Sequence, residues 1–268
     1  MSFRSCLNTI INTILIATSG FTLNGQDARL DRLHLQYRYM NEKDPQKKDL
    51  LAFEVADAFL SENDTWPALE LAATIDSTLP AHAALIRGKA HFMEDDFRAS
   101  RDIMGRIDTA GQTPKFNAEV AFYRILNLHH LLLPDSACAL LTGFISAAGG
   151  DTTGIRSFYS QMTPPKQYSL KKAVNRSFIP GGGLFYVEEP GKAVSSILLQ
   201  AGFAGYAVYS TYSRHYITAA LTGVSQFMRF YGGGRRAARN IGLRKNRQRY
   251  IAYVLKADRY SEIKIFGM

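Results

Sequence analysis

Apolar residues recur at helical spacing through the first half of the chain, from Ala28 to about Phe158. Such spacing predicts amphipathic helices, and the helix-breaking residues between them stand at intervals that fit helical hairpins. This half is therefore expected to be all-α. The predicted helices cover residues 28–41, 46–61, 66–77, 81–93, 96–107, 115–132 and 135–147. Four prolines stand near predicted helix starts, where the missing N–H costs nothing: Pro67, Pro80, Pro114 and Pro134.

One predicted pair of helices resembles a tetratricopeptide-type unit. The residues that carry the likeness are Gly88, Phe92, the acidic turn 94–96, Ser100, Met104 and Ile107. In that family a small residue lets two helices approach, and small residues of the second helix face the first. This chain departs from the pattern, because Ser100, Met104 and Ile107 stand where Ala, an aromatic residue and Ala are usual. The acidic turn needs no catalytic role, since Asp96 suits a helix N-cap.

The resemblance implies a short solenoid of about three helical hairpins, with the flanking pairs at residues 46–77 and 115–147. About three units are needed to bury a continuous core. Solenoids of this type usually bind a partner along a concave face, so a protein partner is expected on residues 26–162. A helical bundle without a groove is the alternative.

The second half contains the most apolar uncharged run, Ala193 to Ser213, which has 21 residues. A helix needs about 20 such residues to cross a bilayer. The next run, His215 to Met228, has 14 and favours a re-entrant or protein-covered helix. Together they predict a C-terminal apolar helical hairpin. Three alternatives remain open: residues 193–213 span a membrane, the hairpin lies in one leaflet, or both helices are buried core.

A glycine-rich motif precedes this hairpin, with Pro180, Gly181, Gly183 and Tyr186 as its defining residues. Residues 175–245 resemble a group of largely uncharacterised bacterial envelope proteins that carry Pro-Gly-x-Gly-x-x-Tyr before a pair of apolar helices. The chain departs from the group at Leu184, where Gln or His is common, and at residues 188–189, where a small turn is usual. The resemblance implies envelope location and fold. The glycines would permit a tight turn against the next helices, and Tyr186 would anchor an aromatic ring at an interface.

Charge divides the chain near residue 163. Residues 27–162 carry 14 Lys/Arg against 19 Asp/Glu, whereas residues 163–268 carry 17 against 4. The change follows Thr163-Pro164-Pro165-Lys166, which favours a boundary between a helical-repeat domain (26–162) and a basic domain (163–268). Cations beside an apolar run are typical of membrane contact, expected here on residues 175–249. The cations predicted to flank the membrane are Arg235, Arg236, Arg239, Arg244, Lys245, Arg247 and Arg249.

Residues 1–25 are typical of a signal peptide, with Arg4 before an uncharged run from Leu7 to Phe21 and cleavage after Gly25. Leu23 is larger than usual before a cut, so an uncleaved signal anchor is the alternative. Export predicts a periplasmic, membrane-associated location and disfavours nucleic acid as a partner. A two-helix hairpin would return the basic tail to the periplasm, whereas positive charge favours the cytoplasmic side.

The sequence carries no recognised catalytic motif. Gly-x-Ser-x-Gly, His-Glu-x-x-His and a Cys/His ligand set are absent, and the glycine run lacks the Gly-Lys-Ser/Thr ending of a phosphate loop. His129 and His130 are adjacent on a helix, so they point about 100° apart and cannot share a metal as an i, i+4 pair would. Cys138 is expected to be a small core residue. These observations predict a non-enzymatic envelope scaffold without a cofactor; the alternative is a membrane-embedded protein that handles lipids or small molecules through the glycine motif.

Overall fold

The computed structural model describes residues 25–267, and these residues form helices and loops with no strand, as the all-α prediction requires. The predicted signal peptide lies outside the described residues except for Gly25. The first eight helices are α1 (Gly25–Asn41), α2 (Pro45–Ser61), α3 (Thr65–Thr74), α4 (Pro80–Met93), α5 (Phe97–Gly105), α6 (Pro114–His130), α7 (Pro134–Ala147) and α8 (Ile155–Gln161). The remaining elements are α9 (Leu170–Arg176), α10 (Gly182–Tyr186), α11 (Pro190–Tyr212), α12 (Tyr216–Thr218), a π-helical segment (Ala219–Val224) and α13 (Ser225–Phe266).

Local sequence sets the starts of these helices. Pro80, Pro114 and Pro134 are the first residues of α4, α6 and α7, where proline removes no intrahelical hydrogen bond. Asp96 is the N-cap of α5, because its carboxylate accepts a hydrogen bond from the N–H of Ala99 at 3.2 Å. Thr113 caps α6 in the same way at 3.3 Å from the N–H of Phe116.

The chain forms two compact units. The first unit runs to Thr163 and also contains the chain from Val254 onward, whereas the second unit is Pro164–Tyr253. The sequence-based division differs at the C-terminus, because it assigned all of residues 163–268 to one domain. Helix α13 contributes residues to both units. Because the helix continues without a helix-breaking residue at Val254, the local sequence does not indicate the boundary between the units.

In the first unit consecutive helices from α1 to α8 pack on each other. Helix α2 also contacts α4, and α4 also contacts α6. The interface of α4 with α5 brings together residues of the tetratricopeptide-like match. A Cβ on Gly88 would lie 2.6 Å from the Cε atom of Met104, and Ser100 Oγ donates a hydrogen bond to the Gly88 carbonyl at 2.8 Å. Small side chains therefore set the spacing of this pair.

A buried polar network attaches the end of α13 to the first unit. His129 Nδ1 lies 2.7 Å from Asp258 Oδ1, and His129 Nε2 lies 2.8 Å from the Tyr159 hydroxyl. That hydroxyl is 3.1 Å from Ser261 Oγ, and His130 Nε2 is 3.8 Å from the second oxygen of Asp258. Asp258 is thus bound to α6, and Tyr159 of α8 joins the same network through His129 and Ser261. These contacts help to explain why the residues after Val254 belong to the first unit. Burial is the main cause that lowers the pKa of His130 to about 4.

Candidate functional site

The second unit contains an apolar hairpin, formed by α11 and by residues 216–230, which return along it. The chain reverses at Arg214, whose backbone is left-handed with φ of 62°. Arg214 is the one Lys, Arg, Asp or Glu between residues 193 and 228. The rings of Phe203 and Phe230 stack with centroids 5.3 Å apart, which indicates an antiparallel arrangement. The two predicted apolar runs therefore pack against each other.

The two arms meet through a narrow seam of small residues. A Cβ on Gly223 would lie 2.7 Å from the Cα of Ala207, so the backbones approach closely at this point. Ser210 and Ala219 are also buried in the hairpin. Contact through small residues is how helices pack in the apolar environment of a membrane. Apart from the stacked rings of Phe203 and Phe230, it leaves the large side chains of both arms directed away from the seam.

Most of the large apolar side chains of this hairpin are exposed. Leu198 is 66% exposed, Val208 71% and Ile217 77%. The full set of exposed large apolar residues in the hairpin is Val194, Ile197, Leu198, Leu199, Tyr206, Val208, Tyr209, Tyr212, Tyr216, Ile217, Leu221, Val224, Met228 and Phe230. Soluble monomers rarely expose a contiguous apolar patch of this kind. The hairpin is therefore the strongest candidate for a contact surface in the second unit.

Among residues 25–267, the structure has no helix that combines the length and the apolar character needed to cross a membrane. Helix α11 has 23 residues, but Ser195, Ser196 and Gln200 interrupt its apolar sequence. The exposure of the hairpin goes against the alternative in which both apolar helices are a buried core, because a buried core would cover these side chains.

The glycine motif is a packing device within the second unit. Gly181 has a φ of 75°, and a Cβ there would lie 2.8 Å from the Ala193 carbonyl oxygen. A Cβ on Gly183 would collide with Ser177 Oγ and the Ala173 carbonyl. The cavity beside the motif measures about 10 Å³. This volume suits a single water molecule and leaves no space for a lipid or a small organic ligand.

Pro180 and Tyr186, the other residues of the predicted motif, are half-buried. The hydroxyl of Tyr186 accepts a hydrogen bond from the N–H of Ser169 at 3.2 Å. The guanidinium of Arg176 lies 4.8 Å from the centre of the Tyr186 ring. Tyr186 therefore helps to hold the start of α9. The sequence predicts an aromatic anchor at an interface and does not indicate this contact.

The seven predicted membrane-flanking cations divide into two sets. Three of them hold the unit together. Lys245 Nζ donates to the Val187 and Glu188 carbonyls at 2.9 and 3.0 Å. Arg249 donates to the Lys166 carbonyl at 3.0 Å, and the guanidinium of Arg235 lies 4.7 Å from the centre of the Phe178 ring. The other four, Arg236, Arg239, Arg244 and Arg247, are exposed. Their spacing on α13 places them within roughly 140° around the helix. They give this part of α13 one cationic side.

The first unit has a groove of about 670 Å³ that is lined mainly by α2 and α6, with His82 of α4 between them in sequence. We call it the acidic groove. Its lining residues are Leu35, Leu50, Phe53, Glu54, Asp57, Ala58, Ser61, His82, Thr113, Lys115, Phe116, Glu119, Phe122, Tyr123 and Phe266. Carboxylates and aromatic rings thus share one surface. This combination suits a ligand that carries both positive charge and apolar area.

A buried lysine organises the carboxylates of the acidic groove. Lys89 Nζ donates to Asp57 Oδ1 at 2.6 Å and also pairs with Glu119, and it lies 5.5 Å from the centre of the Tyr123 ring. Only 3% of the Lys89 side chain is exposed, against 31% for Asp57 and 28% for Glu119. Burial alone would lower the pKa of Lys89, but the two carboxylates outweigh it and raise that pKa. Lys89 therefore stays charged and holds Asp57 and Glu119 side by side.

Aromatic rings flank these carboxylates. The ring of His82 packs edge-on against Phe53 at 4.8 Å and tilted against Phe116 at 4.5 Å. Burial is the main cause that lowers the pKa of His82, although the charge of Glu119 opposes it. Burial likewise raises the pKa of Tyr123 to about 12, so its hydroxyl stays protonated at neutral pH.

Sequence reasoning missed the acidic groove. One signal was present, because Lys89 shares a helix face with the apolar Leu85 and Phe92, and all three are buried. A lysine among apolar neighbours on a buried face implies a carboxylate partner. Which carboxylates those are depends on how α2 and α6 pack on α4. In the described part of the chain, no group of three or more His, Cys, Asp or Glu residues could hold a metal ion.

Comparison of the chain with protein-family models, with curated proteins and with solved structures found no match. The resemblances to tetratricopeptide-type units and to bacterial envelope proteins therefore stay predictions.

Proposed function

We propose that this protein is a non-enzymatic scaffold of the cell envelope. Its apolar hairpin, within residues 175–249, associates with one leaflet of a membrane. Its first unit is a short tetratricopeptide-like solenoid that binds a protein partner. The observation that carries the proposal is the apolar hairpin, whose large side chains face outward on both arms.

The energetics of exposure support membrane association. Complete burial of a Leu, Ile, Val or Met side chain contributes about 1.5–3 kcal/mol. The hairpin exposes fourteen large apolar residues, so covering only a few of them yields enough free energy for binding. A lipid leaflet covers such side chains without requiring a complementary protein surface.

The distribution of charge supports a hairpin that lies along the leaflet. Arg214 is at the turn between the arms, and Arg229 is near the end of the second arm. Both ends of the hairpin therefore carry a cation that favours the head-group region. The exposed set of Arg236, Arg239, Arg244 and Arg247 further favours anionic lipids, at about 1 kcal/mol for each cation near the surface.

The test is flotation of the purified full chain with phosphatidylglycerol-containing vesicles and with phosphatidylcholine vesicles. The chain is expected to float with both and more completely with the anionic vesicles. A quadruple variant, Leu198→Ser, Val208→Ser, Ile217→Ser and Leu221→Ser, is expected to stay at the bottom of the gradient. Its helix content should be unchanged, because the replaced side chains are exposed.

A matched control replaces four exposed apolar residues of the first unit: Leu30→Ser, Leu33→Ser, Trp66→Ser and Leu133→Ser. This control should float like the unmodified chain. Equal flotation of the hairpin variant and the unmodified chain would refute the role of the hairpin. An unmodified chain that does not float would refute the membrane half of the proposal.

Partner binding is supported by the order of packing in the first unit. The hairpins α2–α3, α4–α5 and α6–α7 follow one another, and their first helices line the acidic groove. Consecutive hairpins whose first helices form a shared surface are typical of solenoids that bind peptides. The alternative function, lipid or small-molecule handling by the glycine motif, has less support, because the cavity beside Gly181 and Gly183 measures about 10 Å³.

A further inference from the structure

We infer that the acidic groove binds an extended segment of the partner protein that carries a lysine or arginine, whose charged group is held by Asp57 and Glu119. This inference rests on the proposed partner binding by the first unit and specifies the chemistry of the partner.

The dimensions of the groove favour an extended peptide. On α2 its lining runs from Leu50 to Ser61, which is about 16 Å along a helix axis at about 1.5 Å per residue. An extended chain rises about 3.3 Å per residue, so about five residues fit along this length. A compact amine would fill only part of the volume of about 670 Å³.

Charge complementarity favours a cation as the central group. Glu54, Asp57 and Glu119 line the groove against the cations Lys115 and Lys89, which leaves one negative charge in excess. Lys89 is enclosed, with 3% of its side chain exposed, and its ammonium group already contacts both carboxylates. An incoming group therefore meets the partly exposed carboxylates first. An anionic ligand would be repelled by them, whereas a second ammonium or guanidinium group would be attracted.

The aromatic residues supply the remaining contacts. Phe53 and Phe116 both pack on the ring of His82. Phe53 lies on α2 with Asp57, and Phe116 lies on α6 with Glu119. The methylene stem of a lysine or arginine packs on such rings, and its charge interacts favourably with their faces. Leu50 is 48% exposed at the end of the groove, which offers an apolar position for a neighbouring side chain of the peptide.

The experiment uses the full chain in a mild detergent and an immobilised library of acetylated, amidated hexapeptides. Each position of the hexapeptide is fixed in turn as Lys, Arg, norleucine, Phe or Glu. Binding is expected to be at least fivefold stronger for Lys or Arg than for norleucine at one central position, and absent for Glu there. Norleucine is the decisive comparison, because it keeps the stem of lysine without its charge.

Two variants test whether the groove is the site. Glu54→Lys reverses an exposed groove charge and is expected to weaken binding of the selected lysine peptide about tenfold. Glu70→Lys makes the same charge change at an exposed position of α3 outside the groove lining and should bind normally. The triple variant Asp57→Asn, Lys89→Met, Glu119→Gln removes the whole cluster without leaving a buried charge unpaired, and it should abolish the preference for lysine over norleucine.

The outcomes separate this inference from the proposed function. Selection of norleucine, Phe or Glu peptides over Lys and Arg would overturn the cationic chemistry and leave partner binding intact. Lysine selection that Glu54→Lys and the triple variant do not change would overturn the location. No selection at any position would overturn both the inference and the partner-binding half of the proposed function.

Discussion

The two units of this protein treat apolar and charged side chains in opposite ways. The first unit encloses ionisable groups such as Lys89, His129 and Asp258 and satisfies them with specific partners. The second unit has a small core, in which Leu184, Ala193 and Ala238 cluster, and it exposes long apolar side chains over the whole hairpin. The first unit therefore pairs its buried ionisable groups internally, whereas the second unit leaves an apolar surface exposed to solvent.

This difference shows that hydrophobicity and burial are separate properties of a sequence. Helix α11 is more apolar than α4, yet α11 buries few of its residues while α4 buries a lysine. The surroundings of a helix decide which of its residues are covered. Function follows from the exceptions: exposed apolar residues indicate a contact surface, and buried charges indicate a held geometry.

The largest expected effect concerns the buried charge of the first unit. Lys89→Met should lower the free energy of unfolding by about 3 kcal/mol, because Asp57 and Glu119 would lose their shared cation. Urea denaturation followed by the fluorescence of Trp66, the single tryptophan, measures this directly. Lys115→Met is the control, since Lys115 is exposed, and it should change the free energy by less than about 0.5 kcal/mol. Equal effects of the two substitutions would contradict the organising role of Lys89.

A second effect of similar size is a loss of stability in acid. The pKa of His130 is lowered to about 4, so the unfolded chain, with an ordinary histidine pKa near 6.5, binds the proton more readily. The contribution is fully present above about pH 6.5 and is lost as the pH falls towards 4. It amounts to roughly 3 kcal/mol over this interval. In the folded protein the ring of His130 stacks on Phe97, with the two ring centres 4.1 Å apart.

His130→Phe tests this linkage. Urea denaturation at pH 7, 6, 5 and 4 should show a flatter decline for this variant than for the unmodified chain. His34→Phe, which replaces an exposed histidine of the first unit, should keep the original pH dependence. Parallel pH profiles for all three proteins would show that burial of His130 does not control acid stability.

The smallest of these effects lies in the second unit, where the core is small and glycines permit close backbone contacts. Gly183→Ala should destabilise this unit by about 2 kcal/mol, because its Cβ would collide with Ser177 Oγ and the Ala173 carbonyl. Gly202→Ala is the matched control, since a Cβ there meets no atom within 4 Å. Hydrogen exchange of α9 to α11 should therefore accelerate only in the Gly183 variant. Unchanged exchange in both variants would contradict the packing role of the motif.

Much of the fold was predictable because its signals are local. Helical periodicity, the prolines at helix starts and the cap at Asp96 depend on residues close in sequence, and the predicted helices of the first half agree with the structure to within a few residues. The close approach at Gly88 was also predictable, because small residues at that spacing serve few other purposes. The candidate site was harder to predict from the sequence. The glycine motif indicates a turn, but nothing in the sequence indicates its contact with Ala173 and Ser177.

The sequence by itself determined the helices, the uncharged hairpin and the concentration of positive charge after residue 163, because each depends on the order of neighbouring residues. Tertiary structure decided which cations bind loop carbonyls, since Lys245 and Arg249 bind carbonyls that lie far away in sequence. It also decided that Asp258 returns to His129 and that Asp57, Lys89 and Glu119 meet in one groove. Contacts between side chains 30 to 130 residues apart depend on how helices pack, and that packing leaves no periodic trace in the chain.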